Sequence, residues 1–294
     1  MPLIRSIAFS AIFFAMAFSQ NAIAQVLPDA VVGIKIALAK KPVTRPMTIT
    51  YVPYVDRYYV ADGGLGPLPG DSDTNSPSPI HIYNAKGEYL NSAKPGYDNR
   101  SIYFNPNTKQ LETVTYNASS SAGFQPNAGI YALQLTEDGD LKQTSTDISG
   151  PNPAFGGPHT MPTYDAEGKR YFAKQGRSNV IYIVELPKRE KSGEILLDLD
   201  AAGAKFDDIT DYYVAYTGLH GEELAVLDVD HKAILVFDIN GKFVARSALP
   251  SSMKLHSQNH ISGLGYANNM FFVYQEREGE FGTYYGFRIF DQVK

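Results

Sequence analysis

The chain has 294 residues, 26 basic and 31 acidic side chains, a net charge of −5, and neither cysteine nor tryptophan. The lack of cysteine excludes disulfides, thiol nucleophiles, zinc–thiolate centres and a lipid-modified N-terminal cysteine. The mildly acidic balance carries no basic stripe of the kind nucleic acid requires, and Lys188-Arg189-Glu190-Lys191 reads as a solvated turn.

At the N-terminus, Met1–Arg5 is short and basic, Ser6–Phe18 is apolar, and Ala22-Ile23-Ala24 precedes Gln25. This pattern predicts a secretory signal peptide, residues 1–24, cut after Ala24. The apolar run is shorter than the roughly 20 residues that span a bilayer as a helix. No later segment reads as transmembrane, so the expected product is one domain, 25–294, a monomer free in the periplasm or secreted. Without disulfides it must be held together by burial.

Next comes "AVVGIKIAL" (30–38), an apolar segment without an obvious partner. Five units of one grammar follow. "MTITYVPYVDRYYVAD" (47–62) precedes "PIHIYNAKGEYLNSA" (79–93), and "SIYFNPNTKQLETVTYN" (101–117) precedes "GIYALQLTEDGDLKQT" (129–144). "TMPTYDAEGKRYFAKQ" (160–175) precedes "NVIYIVELPKREKSGEILLDL" (179–199), and "DITDYYVAYTGLHGEELAVLD" (208–228) precedes "KAILVFDINGKFVARSA" (232–248). "HISGLGYANNMFFVYQ" (260–275) precedes "GTYYGFRIFDQ" (282–292). In each, a strand ends in a polar turn such as Asp165–Gly168 and a second, aromatic-rich strand follows. A third strand ends at a glycine turn in four units (Gly87, Gly139, Gly193, Gly241), and a fourth strand follows it. Period-two patterning with glycine and Asx turns is the signature of a strand meander.

Four-stranded meanders repeated about an axis make a β-propeller. The predicted fold is therefore all-β, a single propeller of five blades. The fifth unit lacks a fourth strand, and 30–38 is expected to supply it and close the ring. Six blades is the alternative, since roughly 54 residues per blade exceeds the usual 40–45.

"YYVAD" (58–62) with "IHIYNAKGEYL" (80–90), and "LAVLD" (224–228) with "ILVFDINGKFV" (234–244), resemble the NHL-repeat and gluconolactonase-like group of propellers. The resemblance covers 25–294 as a rhythm, and that group includes lactonases, a lyase and binding proteins. It implies that each first strand lines a central channel, with its entering loop and the loop between strands two and three on one face. The residues at the strand starts would then gather at the channel mouth. Arg45, Tyr97, Asp98, Asn99, Arg100 and Asn259 are the candidate ligand-binding residues. His159, Asp207, Asp208 and His260 are candidate metal ligands, because imidazole and carboxylate suit a divalent cation. Calcium, magnesium, manganese or zinc could activate water or polarise a carbonyl there; otherwise the same groups line a polar, water-filled mouth. Loops 62–79, 117–128 and 275–283 should gather on this face with Tyr97, Phe124, Phe155 and Phe281.

Other signals are weaker. His256 and His260 have the spacing of helical ligands, but the segment does not look helical. His81 reads as a satisfied sheet histidine, and His220 and His231 as turn residues. "DSDTNS" (71–76) begins like a calcium loop but lacks its glycine and glutamate. Asn99 and Asn117 open glycosylation sequons. No phosphate loop, G-x-S-x-G elbow or Ser/His/Asp arrangement stands out. Two functions remain: an exported binding or scaffold protein for a small molecule, glycan or protein, or a metal-dependent hydrolase or lyase of lactonase type.

Overall fold

The computed structural model describes residues 25–42, 45–63, 78–95, 99–115, 129–149, 153–156, 160–186, 188, 190–261, 265–276 and 278–291. The expected signal peptide, the calcium-like stretch 71–76, Phe124 and the Asn117 sequon lie outside them. No helix among the described residues is long and apolar enough to cross a membrane.

The architecture is all-β. After β1 (Val26–Ala37), a first sheet runs β2 (Arg45–Val52), β3 (Arg57–Gly63), β4 (Ile80–Asn84), β5 (Tyr89–Ala93). A second runs β6 (Asn99–Asn105), β7 (Gln110–Thr115), β8 (Gly129–Leu135), β9 (Leu141–Ser149), and a third β10 (Thr163–Asp165), β11 (Arg170–Lys174), β12 (Val180–Glu185), β13 (Glu190–Leu196). The remaining strands are β14 (Ala215–Tyr216), β15 (Leu224–Asp228), β16 (Ala233–Phe237), β17 (Phe243–Ala248), β18 (Gly265–Ala267), β19 (Met270–Gln275) and β20 (Thr283–Phe290). They share one eight-stranded sheet in the order β14-β15-β16-β17-β1-β20-β19-β18.

The meanders follow from local chemistry. Asn84 Oδ1 accepts from the backbone N–H of Lys86 and Glu88, Asp165 Oδ1 from Glu167 and Gly168, and Asp238 Oδ1 from Asn240 and Lys242. Such Asx turns fix where one strand ends and the next begins. Gly241 sits at φ +84°, and a Cβ there would run into the Leu196 carbonyl. Its own carbonyl instead accepts from Asp198 N–H at 2.8 Å, joining the third sheet's exit to the fourth unit. The expected turn at Gly193 is not one. Gly193 lies inside β13 opposite Ile183, beside a bulge, and the chain has already reversed between Glu185 and Glu190, which pair across β12 and β13.

Strands β3, β15 and β16 are buried on both faces, whereas β5, β13 and β17 alternate toward solvent. That gradient arises because neighbouring sheets pack face to face. Tyr59 and Ile82 meet Ile102 and Leu133 between the first and second sheets, and Val114 and Ile130 meet Tyr171 and Val184 between the second and third. Phe172 and Ile181 meet Val226 and Leu235, and Tyr58 and Tyr83 meet Phe272 and Tyr284. Each such aliphatic side chain contributes about 1.5–3 kcal/mol by burial. The leading strands also touch in sequence: β2 with β6, β6 with β10, β10 with β14, β14 with β18, and β18 with β2. Segment 30–38 does pair antiparallel with β20, from Val31↔Arg288 to Ala37↔Thr283, though its strand starts earlier, at Val26. A parallel bridge, Asp29↔Ala248, ties β1 to β17 as well.

Candidate functional site

The leading strands leave less open space on the axis than the sequence suggests. Thr48 Oγ1 accepts from Ile102 N–H at 2.7 Å, and the Tyr213 hydroxyl reaches Thr48 from the fourth unit to the first. Thr48, Ile102, Met161 and Tyr213 are all buried, so side chains rather than a water-filled passage occupy this level. Removal from water drives the Tyr213 phenol far above its usual range.

The rim next to this plug is built from the segment entering β14, the loop after β11, the turn after β15, and a single-turn helix α1 (Ser257–Ile261). Lys174, at the end of β11, is completely buried. Its ammonium donates to the carbonyl of Asp211 at 2.8 Å and of Gln175 at 3.4 Å. Burial pulls its pKa down to about 8, against the opposing attraction of Asp211. Asp211 is a junction: its N–H donates to the His260 carbonyl at 2.5 Å, and its carboxylate accepts from Arg177 N–H at 2.6 Å. His260 Nδ1 lies 3.4 Å from the Ile209 carbonyl, and Nε2 lies 3.1 Å from Asp230 Oδ1. Asp230 N–H in turn faces the Asp208 carbonyl at 3.5 Å. His260 is thus drawn to the 208–211 segment, with Asp230 as its carboxylate partner.

The other sequence-derived candidates separate. Tyr97, Asp98 and His159 lie outside the described residues; Arg45 opens β2 and Arg100 lies in β6. Asn99 is buried: it donates to the Ser78 carbonyl at 3.0 Å and accepts from Thr113 at 3.0 Å. That is a structural role, closed to a bulky ligand or a glycan. Asn259 is likewise buried, accepting from His256 N–H at 2.9 Å and donating to the Tyr274 carbonyl at 2.7 Å. Asp207 and Asp208 do not open a strand as expected. They sit in a turn well ahead of β14, because Asp208 Oδ2 accepts from Lys205 N–H at 2.8 Å and the chain reverses there. Asp207 is exposed, 3.5 Å from Arg177. Residues 257–261 are helical after all, because the Asn259 side chain and backbone close the turn on His256. Phe155 is not displayed on the rim. It is buried between the second and third sheets, edge-on to Tyr171 at 5.4 Å.

Asp208 also borders a depression of about 360 Å³, together with Asp200, Lys205 and His231. His231 Nδ1 contacts the buried Asp228 carboxylate at 3.0 Å. Among the described residues, no three His, Asp or Glu side chains stand close enough to share a metal ion. The sequence reading missed Lys174, Asp211 and Asp230. An ionisable residue ending an otherwise apolar strand, as in "YFAK", was the available signal for the first. It also left the surroundings of His81 unread. His81 is buried, with Nδ1 2.7 Å from Ser92 Oγ and Nε2 3.7 Å from Asp62 Oδ2.

No known family matches the chain, and no curated protein matches it. Solved structures do. Glutaminyl cyclase of Myxococcus xanthus aligns over 92% of this chain and 99% of its own, with 9% identity and a TM-score of 0.53. The PQQ-bound aldose sugar dehydrogenase of Streptomyces coelicolor aligns over 85% and 81%, with 12% identity and a TM-score of 0.39. The Cps50 (Swd1) β-propeller domain of Myceliophteria thermophila aligns over 88% and 99%, with 10% identity and a TM-score of 0.43. The likeness to the cyclase, at 9% identity, is one of fold alone; this chain's own succession of four-stranded meanders is of the β-propeller type.

Proposed function

We propose that this chain is an exported, five-bladed β-propeller that acts as a monomer and binds a ligand on the face formed by the β14 entry, the β15–β16 turn and α1. Five blades are supported by the succession of contacts from β2 round to β18 and back. Closure by the N-terminal strand is supported by the β1–β20 pairing. The kinship we assign is the NHL-repeat and gluconolactonase-like group, on the residues quoted for it above. Periplasmic or secreted location rests on residues 1–24, whose removal would leave Gln25 first.

The observation that carries the binding reading is the rim depression bordered by Asp200, Lys205, Asp208 and His231. Its walls belong to turns held in place by Asp198, Asp208 and Asp228 rather than to flexible side chains. Loops braced on a rigid ring are where binding concentrates. With Asp200 and Asp208 set against Lys205, the border is net acidic and favours an organic cation as ligand. The His260–Asp230 pair favours the second reading, a metal-dependent hydrolase or lyase, with His159 as the further imidazole.

One titration separates the two. Calcium, magnesium, manganese and zinc are added calorimetrically to chelator-treated protein, to the His159→Ala/His260→Ala double variant and to Asp208→Asn. Metal binding predicts uptake by the wild type and its loss in the double variant. If the wild type binds none more tightly than about millimolar, roughly −4 kcal/mol, the metal reading fails. The binding reading then predicts that a screen of amine-bearing ligands gives a melting shift that Asp208→Asn abolishes.

A further inference from the structure

The first sheet carries a second constellation, away from the rim of the fourth unit. β4 and β5 pair antiparallel with His81 directly opposite Ser92. The imidazole is buried and the serine is exposed. Ser92 Oγ lies 2.7 Å from His81 Nδ1 and 2.9 Å from the Tyr89 hydroxyl. On the other side of the ring, Nε2 faces Oδ2 of Asp62 at 3.7 Å, and that carboxylate is only 1% exposed. His81 and Ser92 open onto a groove of about 620 Å³, which Lys40 and Lys94 also border. Among the described residues of its wall the carboxylate is that of Asp140, which is already bound by Arg57 at 2.6 Å and by Asn91 at 2.8 Å. Among the described residues, the charge left on this wall beside Ser92 is therefore the positive charge of Lys40 and Lys94.

A cross-strand serine–histidine hydrogen bond alone would be ordinary sheet chemistry. Burial of a carboxylate against the far nitrogen of the same ring is a further feature, and together they give a nucleophile, a base and a group that orients the base. We propose that Asp62, His81 and Ser92 form an esterase-type centre, acting on esters whose acyl part carries a negative charge.

The proton bookkeeping fixes the tautomer. Nε2 carries the hydrogen toward Asp62, leaving the Nδ1 lone pair to accept the Ser92 O–H. Ser92 Oγ attacks the ester carbonyl carbon as its proton moves to Nδ1, and the imidazolium so formed is stabilised by the Asp62 carboxylate. The carbonyl π pair moves to oxygen. Its return expels the alcohol oxygen, which takes the proton from Nδ1. Water then attacks the acyl-serine, its proton passing through Nδ1 to Ser92 Oγ, and the carboxylic acid departs. The ring is used in the reverse sense to the familiar serine hydrolases, with Nδ1 on the serine. The 3.7 Å gap to Asp62 is of the loose kind that tightens when charge develops. Lys40 and Lys94 supply the field that favours both the oxyanion and an anionic acyl group.

The test uses the mature protein in EDTA, which separates this centre from any metal-dependent activity at the rim. A fluorophosphonate probe is added and the adduct mapped by mass spectrometry; p-nitrophenyl hemisuccinate and p-nitrophenyl acetate are assayed in parallel. The expected result is one adduct, on Ser92, with hemisuccinate turned over faster than acetate. Ser92→Ala, a trim of an exposed side chain, abolishes both. Asp62 is a positioning residue: Asp62→Asn lowers kcat at least about tenfold with KM unchanged, and Asp62→Glu restores part of it. Absence of an adduct on Ser92 in folded wild-type protein overturns the proposal without reference to any variant. So does labelling of Ser92 at the wild-type rate in a folded His81→Gln protein.

Discussion

Replacing Lys174 by methionine tests the rim's electrostatics through stability. The ammonium is wholly buried and held by two backbone carbonyls, and burial has pulled its pKa from 10.5 to about 8. The unfolded chain therefore binds this proton more tightly than the native one. The destabilisation is complete below pH 8 and lifts as pH rises toward the unfolded value. At about 1.36 kcal/mol per pKa unit, the full effect is about 3 kcal/mol, of which about 2 kcal/mol is relieved between pH 7 and pH 9.5. Lys174→Met lacks this term, while the titration of other groups is shared by both proteins. Urea unfolding at the two pH values should show the stability of the wild type, relative to the variant, rising by about 2 kcal/mol. The absolute difference at pH 7 is not diagnostic, because methionine removes the ammonium's bond to the Asp211 carbonyl, at about 1–3 kcal/mol, while the Gln175 carbonyl keeps its bond from Ser178 Oγ. Parallel pH profiles would show that the ammonium is solvated. A relative fall would show that attraction to Asp211 outweighs desolvation. Either result refutes the reasoning.

Two further outcomes follow from the fold. Deleting residues 25–40 removes the partner of β20 and the buried side chains of Ile36 and Leu38, so the truncated protein should aggregate or melt far lower; an unchanged monomer by light scattering would mean that closure does not depend on β1. Gly241→Ala forces a side chain into φ +84° and against the Leu196 carbonyl, and should cost at least about 2 kcal/mol in urea unfolding; a neutral substitution would show that the turn has room to shift.

Much of the architecture was legible because it is written locally. Asn84, Asp165 and Asp238 bond to amides two to four residues on, so each turn is encoded where it occurs. Alternating apolar residues then define the strands between turns. The unpaired segment at 30–38 was legible for a related reason, since an apolar strand and a sheet one strand short imply each other. Local grammar failed where long-range contacts decided the path. The side chain of Asp208 reverses the chain before β14, so the fourth unit's leading strand shrinks to Ala215–Tyr216, and aligning units by length put Asp207 and Asp208 at the wrong level. Gly193 sits in a strand because β12 is there to pair with it.

The sites divide in the same way. The sequence determined an all-β chain of repeated meanders, an N-terminal strand needing a partner, and two histidines ahead of the last unit. Only tertiary structure set Lys174 beneath Asp211, drew His260 to Asp230, sank Phe155 between two sheets, and aligned Asp62, His81 and Ser92 across three strands. The physical reason is reach: a turn is settled by bonds within four residues, whereas these groups come from different strands or units. What each one faces is fixed by how the sheets pack and in what register their strands pair, which no single stretch of the chain encodes.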